Sequence, residues 1–480
     1  MNAVVDPIAN PAIERAVALA REAQPVYATA PANVRSALLR GLADALERHA
    51  AELVSLAHDE THLGHARLNG ELARTAFQLR GFAERVDAGV PFETINDVAV
   101  PGTPPVGRPR LTRVQEPLGP VAMFSASNFP FAFSVFGGDT ASALAAGCVV
   151  IVKPHAGHPE LSRRVHALAA DVLLEQALPA GVIAFVDQVP RDAGTALVSH
   201  PAIAAVAFTG SYQGGVALWR AANARPRPVP FYGELGSINP LVVQPAALAD
   251  GVDAPAATLA ASITLGSGQF CTSPGLLLVR DDEDGEHFVV ALADALAKQA
   301  PHRMLTPGMR AGFEHASSAI AAQPGVHTRL APADADDAIP APRLYETTAE
   351  QFVAQPALQE EMFGPAALVV RVHDNADVLR VLEAIGGSLT VTLWGATDDT
   401  PENRALAAAA ARIGGRVLFG GVPTGVAVCD AQQHGGPWPA STNPQSTSVG
   451  YAAVARFLRP VALQDPPGWA IDAYRGGLPS

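Results

Sequence analysis

The chain is short of charge. Of its 480 residues only 16% are Asp, Glu, Lys or Arg, with a formal net charge of −13. It has no long Lys/Arg block, which argues against nucleic acid or an anionic membrane as a partner. An anionic substrate would need a local cationic or amide-rich pocket. Cysteine is scarce too. Cys148, Cys271 and Cys429 are too few and too scattered for a CxxC zinc site or a disulfide framework. Free thiols suit a reducing compartment, so a cytoplasmic location is expected. Met1 to Pro7 has neither the basic nor the apolar region of a signal peptide. The longest apolar run, Ala143 to Val152, is about half a membrane span. No metal site is expected. His58, His62 and His65 are close in sequence, but Gly64 interrupts them and no carboxylate pattern completes a ligand set.

What is present is a large apolar fraction, 49%, in a chain long enough for roughly three domains. Residues 10–90 read as helices: Ala12 to Ala23, Ser36 to Leu56 with leucines at near-helical spacing, and Leu63 to Val86. Six prolines punctuate residues 91–118, which predicts an extended ribbon crossing between bodies. From Gly119 strands alternate with helices: strand Val121 to Phe124, helix Gly138 to Gly147, strand Val149 to Val152, helix Pro159 to Ala177, strand Val182 to Val186, a helix near Asp192 to Ser199, and strand Ile203 to Phe208. This α/β rhythm predicts a doubly wound parallel sheet with ligands at the carboxyl ends of its strands. A second α/β stretch runs from Leu241 to Val428. Residues 323–343 read as surface loop. A short helix to Leu458 and a strand from Pro460 to Leu463 close the chain, and so late a strand is expected to complete another sheet, a partner's included.

Four fragments carry chemistry. Thr264 to Gly275 places one thiol, Cys271, among small residues and glycines, before Pro274. Cys148, by contrast, sits in an apolar run. Tyr232 to Pro240 places one carboxylate, Glu234, among glycines and apolar residues, where desolvation raises a carboxyl toward a useful base. The Gly210 to Gly215 turn suits a phosphate at a helix N-terminus, though an ordinary βα turn needs glycine too. The last is Glu360-Glu361-Met362-Phe363-Gly364-Pro365.

The Cys271, Glu234 and Glu361 fragments, taken with the Ser127 to Pro130 turn, resemble the NAD(P)-dependent aldehyde dehydrogenase superfamily. Asn128 lies in Ser-Asn-Phe-Pro, Glu234 in Gly-Glu-Leu-Gly-Ser, Cys271 in Gly-Gln-Phe-Cys and Glu361 in Glu-Glu-Met-Phe-Gly-Pro, in the family's order and at about its spacing. Residues 127–147, 268–275 and 423–429 and the Ser-Thr-Ser-Val-Gly to Phe-Leu-Arg-Pro tail resemble its α-ketoglutaric semialdehyde (2,5-dioxopentanoate) dehydrogenase branch. The resemblance implies two Rossmann-like, doubly wound domains plus a β oligomerisation ribbon. A cofactor-binding domain would span 1–91 and 119–237, and a catalytic domain 238–428. Segments 92–118 and 429–480 would bridge and oligomerise, giving a homodimer or homotetramer.

The resemblance also implies roles. Cys271 is the nucleophile, Glu234 the base that activates water, and Asn128 with the Cys271 backbone N–H the oxyanion donors. Lys153 would hold the adenine ribose, Gly210 and Ser211 the pyrophosphate, and Glu361 the nicotinamide ribose. Gly215 would allow close helix approach, and Phe363 would pack near the ring. The cofactor is NADP or NAD, and the substrate a small aldehyde. Many relatives carry Trp where this chain has Ser127, and Gly where it has Ser237. Ala156 stands where NAD-preferring relatives often carry Glu, which permits NADP; Tyr212 does not demand it. His155 and His158 are read as structural. Gln269, Thr272 and Ser273 flank the nucleophile as candidate substrate contacts. Three rivals remain: a fatty-aldehyde oxidiser, a catalytically silent nucleotide-binding relative, and a thiol hydrolase pairing Cys271 with a histidine. For the last, His434 lacks a partner pattern in the linear sequence.

Overall fold

A computed structural model describes residues 10–187, 193–300, 302–423 and 425–478. Residues 1–7, Asp192 at the start of one predicted helix, and Thr424 in one resemblance motif lie outside the described residues. The chain divides into two compact units. The first holds residues up to Gly233, Val428–Gln432 and Ser446 onward; the second holds Glu234–Ala427 and Gln433–Gln445.

The first unit opens on helices. Asn10 starts Pro11–Ala28 by accepting from the amides of Ala12 and Ile13. The predicted helix over Ser36 to Leu56 is two helices, Ala32–Arg48 and Ala50–Thr61, which meet at His49. The leucine stripe continues across the break, so periodicity alone does not reveal it. The third predicted helix is His65–Asp87.

The sheet of this unit runs in the order Ile183–Phe185, Val150–Lys153, Val121–Phe124, Ala205–Thr209, Phe231–Glu234. The first four strands are parallel to one another. The chain moves outward from Val121–Phe124 in one direction, then returns to its other side at Ala205–Thr209. This reversal is the topological switch point at which doubly wound sheets bind ligands. A separate three-stranded antiparallel sheet joins Ile95–Asp97, Leu111–Pro117 and Leu458–Gln464. The late strand therefore completes a sheet of its own chain.

The second unit is built on a seven-stranded sheet among the described residues. Its order is His327–Leu330, Arg343–Thr348, Ala366–Val372, Leu276–Arg280, Pro240–Val243, Ser388–Trp394, Gly414–Leu418. All neighbours pair in parallel except the first two, which are antiparallel. The His327–Leu330 edge strand falls inside the region read as loop. Both faces are buried: Leu276 and Leu278 pack into one cluster, Leu277 and Val279 into the other. Helices begin where a capping side chain sits just before proline, as at Thr306–Pro307 and Thr400–Pro401. Among the described residues, no helix is long and apolar enough to cross a membrane.

Candidate active site

The thiol loop follows helix Asp253–Thr264 and precedes strand Leu276–Arg280. It turns through three successive left-handed residues, Gly266, Ser267 and Gly268, with φ of 57°, 58° and 68°. Two glycines make that path tolerable. The loop is fixed from several sides. Gln269 is buried; it donates to the Gly266 carbonyl and accepts from the Leu305 amide. Asn239 donates through Nδ2 to the carbonyls of Cys271 (2.8 Å) and Ser273 (3.0 Å). Its own Oδ1 accepts from Ser237 Oγ and the Thr390 amide. Cys271 thus sits at the amino end of its strand, held from strand Ser388–Trp394 through one asparagine.

Cys271 meets two groups of the same unit. His434 Nε2 lies 3.4 Å from its Sγ and 3.0 Å from Glu234 Oε1. The imidazole is fully buried and the carboxylate nearly so. Backbone pairing explains the approach: Glu234 forms an antiparallel bridge with Ser441, and the Leu235 amide donates to the Ala440 carbonyl. Burial pushes the Cys271 thiol well above its ordinary range, and the Glu234 charge pushes it further.

His434, which shows no partner pattern in the linear sequence, proves to be the partner of both groups. It lies 163 residues from Cys271 and 200 from Glu234. The sequence offers only a histidine that opens a Gly-Gly-Pro stretch. In a hydrolase triad the nucleophile and the acid use opposite nitrogens of the imidazole. Here thiol and carboxylate meet the same nitrogen, so the cluster is not laid out as that relay.

Glu361 approaches the Gly236 backbone; a β-carbon there would lie 2.5 Å from its Oε2. The Ser237 amide donates to its carboxyl, yet desolvation prevails and lifts it to about 8. Glu361 and Phe363 line a small cavity with Ser237, Gly268 and Ser273.

The remaining predicted residues lie on the first unit. Asn128 is buried, and its carbonyl accepts from Arg67. The turn it belongs to is held from helix His65–Asp87, where Glu71 accepts from the amides of Phe131 (2.8 Å) and Ala132 (3.0 Å). Lys153 ends strand Val150–Lys153, and its Nζ donates to the Pro154 carbonyl. Ser211 caps helix Tyr212–Asn223 by accepting from the Gly214 amide. A β-carbon on Gly210 would lie 2.8 Å from the Phe208 ring. Gly215 is buried in the first turn of that helix. His158 is fully buried between Ala126 and Ser162, in keeping with a structural role. Burial, helped by His158 and Lys153, drives His155 down to about 3, so it is neutral near pH 7. The His58 and His65 rings lie with centroids 4.5 Å apart and planes tilted by 36°.

The family model described as "Aldehyde dehydrogenase family" matches residues 3–436. The chain is 48% identical to "Alpha-ketoglutaric semialdehyde dehydrogenase 2" of Azospirillum brasilense, over 95% of this chain and 87% of that one. It is 38% identical to "Alpha-ketoglutaric semialdehyde dehydrogenase" of Acinetobacter baylyi, over 94% and 86%. Its fold matches aldehyde dehydrogenase 21 of Physcomitrella patens with a TM-score of 0.77 at 21% identity, over 94% and 89% of the two chains. It also matches proline utilization A of Bradyrhizobium japonicum with a TM-score of 0.79 at 26% identity, spanning 45% of that larger chain. With a buried carboxylate and imidazole against one thiol, and a family model covering most of its length, this chain belongs to the aldehyde dehydrogenase family.

Proposed function

We propose that this enzyme oxidises 2,5-dioxopentanoate (α-ketoglutaric semialdehyde) to 2-oxoglutarate with NAD+ or NADP+. The observation that carries the chemistry is the Glu234–His434 pair set against the Cys271 thiol. The substrate rests on 48% identity to a relative that bears this name.

Cys271 Sγ, as thiolate, attacks the aldehyde carbon and forms a thiohemiacetal. The Asn128 amide and the Cys271 backbone N–H receive its oxyanion; losing such a donor costs about 3–4 kcal/mol. The dinucleotide, when bound, supplies the hydride acceptor that turns this adduct into a thioester. Glu234 then takes a proton from the water that attacks the thioester carbonyl, and the acid leaves as Cys271 regains its thiol. His434 holds the Glu234 carboxylate by its hydrogen bond during that transfer.

We assign the pyrophosphate and adenine ribose of the nucleotide to the first unit and thiol chemistry to the second. The turn Gly210–Gly215 suits a pyrophosphate, because it follows a strand at the switch point and opens a capped helix. Gly210 and Ser211 take that role, Gly215 the close approach, Lys153 the adenine ribose, Glu361 the nicotinamide ribose and Phe363 the ring's flank. Ala156 offers no carboxylate against a 2′-phosphate, and Lys153 is the nearby cation, since His155 is neutral. Both dinucleotides are therefore expected to turn over. Three free thiols fit a cytoplasmic enzyme. The antiparallel ribbon of Ile95–Asp97, Leu111–Pro117 and Leu458–Gln464 is the proposed homo-oligomer contact, read by light scattering.

A specificity panel of 2,5-dioxopentanoate, succinic semialdehyde, glutaraldehyde and decanal tests the substrate. The highest kcat/KM is expected for 2,5-dioxopentanoate. Decanal in first place would transfer the enzyme to the fatty-aldehyde oxidisers.

A further inference from the structure

Three different ligand types converge at the reactive thiol. Cys271 Sγ, His434 Nε2 and one oxygen of Glu234 all lie within 4.8 Å of one another. Among the described residues, this is the one His/Cys/Asp/Glu group with such spacing. Two of its edges are 3.4 Å for sulfur to nitrogen and 3.0 Å for nitrogen to oxygen. Ordinary zinc bond lengths in a tetrahedron demand edges of about 3.6 and about 3.4 Å. Both edges are thus within a few tenths of an ångström of those values, and the sulfur–oxygen edge is no longer than 4.8 Å. Catalytic zinc sites likewise use three protein ligands and keep a fourth position open.

We propose that the Cys271–Glu234–His434 cluster is an inhibitory site for a thiophilic divalent cation, Zn2+ being the natural candidate. The cation binds reversibly to the resting enzyme and occupies the nucleophile and the water-activating carboxylate together. The step is balanced without redox change: the Cys271 S–H bond breaks, one proton goes to solvent, and a sulfur–metal bond forms. Sulfur and imidazole select Zn2+, Cd2+ or Co2+ over Mg2+ and Ca2+. The neighbouring charges oppose one another. Glu361 would add negative potential when ionised, while Arg416 is close enough for the thiolate to affect it and works against a cation.

The probe is Co2+ added to the full-length, metal-free protein. One ion per chain is expected, with a thiolate-to-cobalt charge-transfer band and about one proton released. Cys271→Ser should abolish the band. His434→Ala should weaken binding on the order of 100-fold or more, since even outer-shell losses cost about 10–100-fold. Cys429→Ser should change nothing. Circular dichroism establishes that each variant is folded. In a second readout, Zn2+ should protect Cys271 but not Cys429 from alkylation, as mapped by peptide mass. A band that survives in Cys271→Ser, or unprotected Cys271 with Zn2+ bound, overturns the proposal. These assays follow metal and thiol, so they stand apart from the substrate assignment, which fails or holds on the metal-free aldehyde panel.

Discussion

Gly268 lies so close to Gly364 that a β-carbon on it would sit 2.0 Å from the Gly364 carbonyl oxygen. Two motifs almost a hundred residues apart, Gly-Gln-Phe-Cys and Glu-Glu-Met-Phe-Gly-Pro, therefore touch through backbone. Gly364 is in turn pressed on Phe313, 2.2 Å from where its own β-carbon would lie. Gly268 also has φ of 68°. Gly268→Ala should cost roughly 3 kcal/mol or more, combining left-handed strain with overpacking. Gly312 is the control: it lies on helix Pro307–Ala321 with nothing within 4 Å of a new β-carbon. Gly312→Ala should stabilise by about 0.5–1 kcal/mol. Urea titrations of both variants read the two signs.

Glu71 predicts a second pair of opposite outcomes. Its Oε1 is the acceptor for two buried amides in the turn that follows Asn128. Glu71→Ala strands both donors and should cost about 2–4 kcal/mol. Glu71→Gln keeps a carbonyl acceptor and should retain most of that stability. Equal losses in thermal melts would show that the two hydrogen bonds are not what the carboxyl supplies.

The thiol and the carboxylate can be separated by chemistry. Burial and then the Glu234 charge hold the Cys271 thiol protonated. Glu234→Gln removes the charge, so the thiol should ionise at lower pH and react faster with iodoacetamide near neutrality. The same variant loses the group that activates water, so dehydrogenase turnover should fall by about 10²–10⁴-fold. Slower alkylation at every pH would instead assign Glu234 to carrying the thiol proton.

Acid stability has its own marker. Arg343 and Arg310 hold the Glu314 carboxyl down to about 2, below its usual 4.5. A depressed carboxyl contributes stability that is full above the unfolded value and is lost as pH falls through the folded one. Glu314 therefore contributes fully above about pH 4.5 and progressively less down to about pH 2. Glu314→Gln should lower Tm at neutral pH and flatten its decline across that window. Parallel Tm curves for the two proteins would remove Glu314 from the acid response.

How much of this was legible depended on whether the signal was local. Strand Val121–Phe124 was read to the residue, because an apolar run bracketed by Gly-Pro and a small polar turn leaves one reading. The fragments with Asn128, Glu234, Cys271 and Glu361 pointed to the family because their order survives in one dimension. The break at His49 was hidden, since leucines keep their helical spacing on both sides of it. Helix Pro401–Ile413 gives no clear apolar stripe because its buried face is mainly alanine. The pairing of His434 is not legible because both of its partners are long-range. Its meeting with Glu234 depends on a backbone bridge that no spacing rule contains.

Asn239 is the sharpest test of how the loop is held. It has φ of 46°, a conformation that asparagine tolerates better than most residues. Its Nδ2 fixes the carbonyls on either side of Thr272, and its Oδ1 accepts from Ser237 and Thr390. One side chain thus ties the nucleophile to strand Ser388–Trp394 without touching the thiol. Asn239→Asp keeps the acceptor but turns the Nδ2 donor into an oxygen facing two carbonyls. Asn239→Ala removes both functions without adding charge. Both should slow Cys271 alkylation, and kcat should fall on the order of 10²-fold, the scale of an ångström-sized misplacement. Asp should be the worse of the two in stability, because a buried carboxylate against carbonyls is desolvated and repelled. If Asp instead matched the wild type in alkylation and kcat, the two Nδ2 bonds would not be what sets the thiol's position.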